Sequence, residues 1–369
     1  MTLRKFDYLI VGAGLFGSTF AWHATQSGKT CLVVEFRNHI GGNCYTEEVS
    51  GVCVHKYGPH IFHTSDEQVW KFINKFANFN DYVHRIKAFT NGKFYSLPFN
   101  LGTINALDSN IQTPAQAEAW LIAKKNTNKV TNLEEHCIAM IGKELYEHLV
   151  LGYTFKQWGR HPSTLPSSLI KRLPIRTTFN DNYFNDKYQG IPIGGYTQIF
   201  EKLLQGSVVE LNVDFFENKT KLESISNKTI YTGQLDKFFE SDIGSLEYRT
   251  LDFTHTIHNV PDYQGCSIIN YPSIDVAWTR IVEHKHFEPN ANTDNQNTVV
   301  TIEIPREWKI GDEPYYPIPD VKNSKLAEIY KKRAKNENRT LFGGRLGTYQ
   351  YYDMHQIIAQ AQSLAMKIL

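Results

Sequence analysis

Residues 6–17 read FDYLIVGAGLFG, and this stretch decides the fold of the chain. An apolar run with strand composition leads directly into glycines at the spacing GxGxxG. A helical stretch follows, and a second apolar run, from Cys31 to Val34, ends on Glu35. Strand, glycine turn, helix, strand and acid form the dinucleotide-binding fingerprint in its expected context. The sequence therefore predicts a Rossmann-like α/β domain that binds a nucleotide.

Each glycine of this turn has its own expected role. Gly12 permits the tight turn, Gly14 lets backbone N–H groups approach a pyrophosphate, and Gly17 lets the helix lie close to the strand. The helix N-terminus then stabilises the phosphate charge, and Glu35 accepts hydrogen bonds from an adenosine ribose. A purely structural glycine turn is the alternative, but the two strands and the acid favour nucleotide binding.

Composition limits the classes of protein to consider. The 369 residues are enough for roughly two to three domains of ~100–200 residues each. A net charge of +1 gives no large positive field that would attract nucleic acid or an acidic membrane. No apolar run approaches the ~20 residues of a membrane span. Because no signal peptide precedes the first strand, we expect a cytoplasmic protein.

The cysteines predict reduced thiols. They are odd in number and lack CxxC spacing, which disfavours a disulfide framework and a zinc site. We therefore expect no metal at these residues, which are Cys31, Cys44, Cys53, Cys137 and Cys266.

The order of predicted elements divides the chain into a nucleotide-binding domain and insertions. Large flavoproteins are built this way, with the cofactor held by both ends of the chain. A hairpin is expected around Asn91-Gly92. The predicted segments are 1–76, 191–239 and 321–369 for the nucleotide-binding domain, 77–151 for a mostly helical subdomain, and 152–190 with 240–320 for a substrate-side antiparallel sheet and a mobile loop.

Capping residues predict where helices begin. Ser65 with Gln68 has the spacing of a capping box, so we expect a helix from about Asp66. Thr113 with Gln116 has the same spacing, and proline follows Thr113 at the first helical position. Both helices lie in the inserted part of the chain or just before it.

His60 and His63 lie within one turn of each other, beside Gly58 and Pro59. We interpret them as contacts to a flavin ring or to a sugar. Packing at a helix start is the alternative. A metal site is disfavoured, because no third or fourth ligand has suitable spacing.

Several arginines stand in loops or at strand ends. A diphosphate ligand would need one or two of them, because a guanidinium pairs with two phosphate oxygens at once. Composition alone does not choose among them. The candidates are Arg160, Arg172, Arg176, Arg249, Arg280 and Arg345.

Aromatic residues in segments containing glycine, proline or aspartate suit stacking on a uracil ring or hydroxyl donation to phosphate, with core burial as an equal alternative. They are Tyr153, Trp158, Tyr183, Tyr316 and Tyr351. Asp353, Asp181 and Glu303 are candidate acids. Neither a Ser-His-Asp order nor a paired-carboxylate spacing is present.

Taken together, these segments strongly resemble bacterial UDP-galactopyranose mutases. The resemblance runs in order from about Asp7 to about Ile368, and the segments after residue 50 are far more specific than the glycine turn. The matching segments are LIVGAGLFG, EFRNHIGGNCYT, HKYGPHIFHT, GYTFKQWGR, NDNYFNDKYQGIPIGGYT, LEYRT, TRIVEHKHF, GDEPYYP and FGGRLGTYQYYDMHQ.

The resemblance implies an activity and a cofactor. The family interconverts UDP-galactopyranose and UDP-galactofuranose by covalent catalysis through N5 of reduced FAD, with no net redox change. A nicotinamide cofactor is the usual source of electrons for a cytosolic flavin. The resemblance also implies a homodimer that binds the small-molecule substrate UDP-galactose. The implied architecture is a Rossmann-like FAD-binding domain with an inserted helical subdomain and a mainly antiparallel β-sheet domain.

The resemblance also implies site residues. The FAD contacts are Gly12, Gly14, Phe16, Gly17, Glu35, Arg37, Gly42, Asn43, His60, Arg345 and Met354. The catalytic residues are His60 and His63 near flavin and sugar, Arg172 on a mobile loop that closes over the diphosphate, Arg249 and Arg280. The other substrate contacts are Tyr153 and Trp158 on the uridine and sugar side, Tyr183, Tyr316 and Tyr351 at the diphosphate, and Asp353 beside the last tyrosine.

The chain departs from the family pattern near the uridine. His84 stands where an asparagine contacts the nucleotide, and Leu149 stands where an aromatic residue often meets uracil. A UDP-N-acetylgalactopyranose mutase is one alternative, with the preference set near His63 and Lys171-Arg172. A flavin oxidoreductase of amine-oxidase-like architecture and a non-catalytic nucleotide-sugar binding protein are the others.

Overall fold

The computed structural model describes residues 6–124, 130–170, 174–291 and 294–369. The strands are β1 (Phe6–Val11), β2 (Cys31–Val34), β3 (Thr46–Val49), β4 (Val52–His55), β5 (Phe62–Thr64), β6 (Ile86–Thr90), β7 (Lys93–Leu97), β8 (Tyr188–Gly190), β9 (Val208–Glu210), β10 (Ser226–Tyr231), β11 (Tyr248–His258), β12 (Ile268–Asn270), β13 (Arg280–Glu283), β14 (Thr298–Glu307), β15 (Tyr316–Pro317) and β16 (Thr340–Phe342). The helices are α1 (Leu15–Gln26), α2 (Glu67–Ile73), α3 (Leu101–Leu107), α4 (Pro114–Lys124), α5 (Leu133–Tyr146), α6 (Gly152–Trp158), α7 (Thr197–Leu203), α8 (Phe215–Ser224), α9 (Leu235–Phe238), α10 (Val321–Lys335), α11 (Gly344–Gly347) and α12 (Met354–Ile368).

The first sheet is parallel, with strand order β16-β10-β1-β2-β9. Ile10 of β1 packs in one core cluster with Phe20 of α1 and Ala361 of α12. Leu9 packs on the opposite face with Leu222 of α8. Because helices cover both faces, β1 is apolar at successive positions instead of alternating. These observations confirm the predicted Rossmann-like domain, in which α12 at the chain's end packs against the opening βα unit.

The second sheet is mainly antiparallel, with strand order β15-β11-β14-β13-β12-β6-β7. Its long central pair runs from Arg249 opposite Glu307 to His258 opposite Thr298. Of the pairs in this sheet, β12 with β6 is parallel. This sheet is the predicted mainly antiparallel β-sheet domain. It also contains the β6–β7 hairpin, which lies within the segment 77–151 that the sequence assigned to a mostly helical subdomain.

Helices α3 to α5 form the inserted helical part and share a core with the β6–β7 hairpin. Ile104, Leu121 and Ile141, one from each helix, lie in the same buried cluster as Tyr95 of β7. The hairpin turns at Asn91 and Gly92, with φ of 51° and 72°, as a two-residue turn of the primed type requires. The predicted helical insertion is therefore confirmed, and it is attached to the second sheet through this hairpin.

The two predicted helix starts differ in outcome. The Thr113 box is confirmed, because Gln116 N–H donates to Thr113 Oγ1 and Thr113 N–H donates to Gln116 Oε1. The predicted capping box at Ser65 is wrong. Asp66 caps α2 instead, accepting from Gln68 N at 2.8 Å, while the Ser65 hydroxyl donates to Asp186 at 2.9 Å. Ser65 is therefore engaged by a distant residue, and the next polar side chain takes the cap.

All five cysteines are free. Within the described ranges no helix is both long and apolar enough to span a bilayer. Asp262, Glu283 and His286 place ligand-type atoms within 4.8 Å of one another. Glu283, however, already accepts hydrogen bonds from two main-chain N–H groups of the turn at 263–264 and from the Thr298 hydroxyl. We therefore assign this group a structural role.

Candidate active site

Two cavities meet inside the molecule. One, of about 720 Å³, follows the glycine turn and the end of β2. The other, of about 550 Å³, lies among the second sheet, α6 and the segment before β8. His60, Arg345 and Met354 line both cavities. These volumes are typical of ligand and cofactor sites. Because the cavities share these three lining residues, a ligand in the first cavity would contact one in the second.

The glycine turn has the geometry that the fingerprint predicts. Gly12 has a φ of 105°, and a Cβ there would lie 2.2 Å from Thr232 Oγ1. A Cβ on Gly17 would lie 2.1 Å from the carbonyl oxygen of Gly12, so α1 lies directly against the turn. Gly14 and Gly42 both line the first cavity and lie against each other, since a Cβ on Gly42 would lie 3.0 Å from Gly14 Cα. Because Gly12, Gly14 and Gly42 line the first cavity, a ligand there would meet glycine backbone along this wall.

Polar groups at the end of β2 fit a dinucleotide. Glu35 is buried and accepts from Ala13 N at 2.8 Å and from Arg37 N at 3.0 Å. Arg37 donates to Glu313 and to Asn43 Oδ1, but no described residue accepts from its buried NH1 group. An unpaired buried donor is costly unless a ligand pairs with it. This orphan donor and the open glycine turn support a bound dinucleotide in the 720 Å³ cavity.

His60 lies where the cavities join. Its Nδ1–H donates to Gly58 O at 2.8 Å, and its main-chain N–H donates to Nδ1 of buried His55 at 3.0 Å. Burial, aided by the charge of Arg345, lowers the pKa of His60 to about 4. The ring is therefore neutral at physiological pH, and its Nε2 is a hydrogen-bond acceptor for a ligand.

Arg280 supplies a buried cation to the second cavity. Its Nε donates to Glu303 Oε2 at 2.5 Å, and the Glu303 side chain is 1% exposed. Burial, the largest single influence, would lower the pKa of Arg280, but the attraction of Glu303, the fields of Tyr153 and Tyr316 and the hydrogen bond to Glu303 together outweigh burial and raise it. Arg280 therefore stays charged, and both its guanidinium and the Glu303 carboxylate lie beside Gly58. Glu303, a candidate acid from the sequence, is here the partner of this arginine.

Aromatic side chains form one wall of the second cavity. The Trp158 and Tyr316 ring centroids are 6.1 Å apart, and Tyr316 stacks on Tyr351 at 6.0 Å. The Arg345 guanidinium lies 4.7 Å from the Tyr351 ring centre. Burial raises the pKa of Tyr153 and of Tyr316. Their hydroxyls therefore remain protonated and can donate hydrogen bonds to an anionic ligand.

A second group of rings surrounds His63. Phe184 stacks on His63, with centroids 3.6 Å apart, and His84 stacks on Phe184 at 5.4 Å. His63 Nδ1 lies 2.7 Å from Asp186 Oδ2. Sequence reasoning missed Phe184 and Asp186, although both stand in a segment rich in Asn, Asp and Tyr. Tyr183 and Asp353 also line this cavity.

The structure does not bring every predicted arginine to the cavity wall. Arg249 is buried, and it donates to Gln157 O at 3.0 Å and to Lys156 O at 2.9 Å, at the C-terminal end of α6. Arg160 pairs with Glu247. Arg172 lies outside the described residues. A direct contact of Arg249 or Arg172 with a diphosphate therefore stays a prediction.

Lys156, which sequence reasoning also missed, holds α6 against the loop that follows β12. Its Nζ donates to the carbonyl oxygens of Tyr271, Ser273 and Trp278 at 2.7 Å each and to Val276 O at 3.1 Å. The helix that presents Tyr153 and Trp158 is thus fixed at the loop by Lys156 and at its end by Arg249.

Lys156→Met is expected to lower the free energy of unfolding by about 2–3 kcal/mol, because a charged donor and its hydrogen bonds are lost. Urea unfolding followed by tryptophan fluorescence measures the change. Lys143→Met, at a side chain that is 75% exposed, is the matched control and should leave the midpoint unchanged. Equal midpoints for both variants would show that Lys156 does not anchor the helix.

The fold and the joined cavities define a dinucleotide-binding enzyme with an adjoining cavity for a second, anionic ligand. The comparisons with known proteins narrow this class. Residues 148–351 match the family described as UDP-galactopyranose mutase, and residues 10–76 match an NAD(P)-binding Rossmann-like domain. The chain belongs to the UDP-galactopyranose mutase family, which is a family of isomerases.

Two curated relatives cover almost the whole chain. A probable UDP-galactopyranose mutase of Klebsiella pneumoniae is 43% identical over 98% of this chain and 94% of the relative. A dTDP-fucopyranose mutase of Escherichia coli is 39% identical over 96% of both chains. A crystal structure of reduced UDP-galactopyranose mutase has the same fold, with a TM-score of 0.77 at 14% identity, over 99% of this chain and 94% of that chain.

Proposed function

We propose that this enzyme interconverts UDP-galactopyranose and UDP-galactofuranose with the help of reduced FAD. One observation carries the proposal: the cavity along the glycine turn opens into a cavity with a buried arginine and an aromatic wall, and His60, Arg345 and Met354 line both. A dinucleotide in the first cavity would thus contact a nucleotide sugar in the second. Family membership and the 43% identity to a probable UDP-galactopyranose mutase support this choice.

The side chains have distinct proposed roles. The glycine turn, Glu35 and Arg37 would hold FAD, and the reduced flavin would supply a nucleophilic ring nitrogen for the anomeric carbon of the sugar. Arg280 offsets the charge that develops on the departing diphosphate. The tyrosine hydroxyls of the aromatic wall donate to the same diphosphate. On the strength of the family resemblance, Arg172 and Arg249 add positive charge on that side.

A dTDP-fucopyranose substrate is the second candidate, because the Escherichia coli relative bears that name at 39% identity. The two substrates differ at the base, at the 2′ position of the nucleotide ribose and at C6 of the hexose. His84 and Leu149 line the second cavity, and both depart from the family pattern of nucleotide contacts. A 2-acetamido sugar remains the third substrate to compare.

Dithionite-reduced enzyme should convert UDP-galactofuranose to UDP-galactopyranose, with the pyranose predominating at equilibrium because its six-membered ring is the more stable. Chromatography of the nucleotide sugars measures the conversion. Oxidised enzyme is the control and should be inactive. Conversion of dTDP-fucofuranose alone would select the second candidate, and substrate-driven oxygen consumption would indicate an oxidoreductase instead. No conversion of any of these sugars by flavin-loaded, reduced enzyme would overturn the proposal.

Three further properties belong to the proposal on the strength of the resemblance. They are reduction of the flavin by NAD(P)H, assembly as a homodimer and a cytoplasmic location. None of them alters the roles that we propose for the residues of the site.

A further inference from the structure

Ring contraction of a hexose requires a proton to move. When a pyranose becomes a furanose, the C1–O5 bond breaks and the C1–O4 bond forms. One proton must therefore reach O5 and one must leave O4, and the reverse reaction reverses both transfers. Positioned side chains that move such protons typically contribute ~10²–10⁴-fold to the rate. This inference rests on the proposed function and asks which residue moves the proton.

His63 is directed into the substrate cavity by the strand that holds it. Its neighbours Phe62 and Thr64 are 1% and 0% exposed and face the core. Because side chains alternate along a strand, His63 faces the other way and lines the cavity with His60. The Phe184 ring lies 3.6 Å from the His63 ring at an angle of 10°, so the imidazole plane is fixed by stacking.

Asp186 fixes which nitrogen of His63 is available. A carboxylate accepts hydrogen bonds, so the contact of 2.7 Å between His63 Nδ1 and Asp186 Oδ2 makes Nδ1–H the donor. The other oxygen of Asp186 accepts from the Ser65 hydroxyl at 2.9 Å. No other described residue hydrogen-bonds the His63 ring, so Nε2 is left for a ligand. A carboxylate that orients an imidazole and stabilises its protonated form is the arrangement of an acid–base dyad.

We propose that His63, positioned by Asp186, carries the proton that is exchanged between O5 and O4 of the sugar. Protonated His63 gives its Nε2 proton to O5 as the C1–O5 bond breaks. Neutral His63 then accepts the proton of the O4 hydroxyl as the C1–O4 bond forms. The second transfer returns to the imidazole the proton that it gave in the first, so no other proton donor is consumed. Asp186 stabilises the protonated ring without touching the substrate.

The charged and titratable groups facing His63 come from three elements. They are Asp186 before β8, Asp353 and His355 at the start of α12, and His84, which lies beyond Phe184. Burial lowers the pKa of His63, and the hydrogen bond to Asp186 opposes this effect. Loss of the Asp186 charge would therefore lower the pKa of His63 further. Since ring opening requires protonated His63, the high-pH limb of the kcat profile should move to lower pH.

The test uses flavin-loaded, full-length enzyme with the Asp186→Asn substitution. We expect kcat to fall by about 10²-fold or more, with unchanged flavin content and unchanged affinity for UDP, and the high-pH limb should shift to lower pH. The kcat of His63→Gln should fall by as much, and the kcat of the double variant should fall no further than that of His63→Gln alone. Asp66→Asn, which removes a carboxylate from the same segment but keeps a good helix cap, should behave as wild type.

The outcomes separate this inference from the proposed function. If wild-type enzyme converts the sugar and both Asp186→Asn and His63→Gln keep near wild-type kcat, the dyad is only a structural anchor for the segment before β8. Activity loss without a shift of the pH profile would also make the role structural. If Asp186→Asn fails to bind flavin, the kcat of His63→Gln alone decides whether the dyad is catalytic or structural. If wild-type enzyme converts no sugar, the proposed function itself fails.

Discussion

Arg280→Met is expected to lower turnover of the nucleotide sugar by about 10²–10³-fold, because in the proposed mechanism it removes a preorganised cation from the place where diphosphate charge develops. The same change leaves the carboxylate of Glu303, which is 1% exposed, without its partner. Removing one member of a buried ion pair typically costs about 3–5 kcal/mol of stability. Turnover under reducing conditions and denaturant unfolding measure the two effects separately.

A second variant separates the catalytic effect of Arg280 from its structural one. In Arg280→Met with Glu303→Gln, no unpaired charge remains buried, so most of the lost stability should return. Turnover should not return, because the cation is still absent. If turnover recovers together with stability, Arg280 serves only to neutralise Glu303, and the diphosphate is compensated by other residues.

The parts of the site that the sequence predicted are those that depend on local order along the chain. The glycine turn, the two strands beside it and Glu35 lie within residues 6–35, and their spacing alone determines how they fold. The family resemblance extended the prediction of site residues to positions far apart in the chain, such as His60 and Arg345. Both of these residues line the two cavities. The fold class followed from the order of the predicted elements. In that order the nucleotide-binding domain begins with the first strand and is completed by the last helix.

The parts that the sequence did not predict are contacts between distant residues. His63 and Asp186 are 123 positions apart, and Arg280 and Glu303 meet because β13 and β14 are paired in register. No local spacing indicates either contact. Lys156 shows the same limit, since a lone lysine on a helix is ordinarily a solvated side chain, and only the fold surrounds it with carbonyl oxygens.

Tertiary contacts overturned one expectation based on residue type and gave a second residue partners that its type does not indicate. Ser65 has the composition of a helix cap, but the fold engages its hydroxyl with Asp186, and Asp66 caps the helix. The guanidinium of Arg249, a residue that the resemblance places at the diphosphate, donates to carbonyl groups at the end of α6. A helix end that would otherwise leave carbonyls unpaired competes with a ligand for the same donor.

Gly17→Ala is expected to weaken FAD binding by roughly 10–100-fold, since overpacking costs roughly 1–3 kcal/mol. The added Cβ would lie 2.1 Å from the carbonyl oxygen of Gly12. That oxygen belongs to the backbone, so the turn itself must move, and α1 must shift with it. The flavin-to-protein absorbance ratio after purification, and titration of the apoprotein with FAD, measure the loss. Lower thermal stability should accompany it.

Gly14→Ala is the matched comparison for Gly17→Ala, because the two glycines have different expected roles. A Cβ on Gly14 would meet Gly42 Cα at 3.8 Å, an ordinary contact, and Gly14 has a φ of −78° that alanine adopts readily. The apoprotein should therefore keep its stability. FAD affinity should still fall, because the methyl group occupies space that the pyrophosphate needs. If Gly14→Ala binds FAD as wild type does, the pyrophosphate does not lie against this turn.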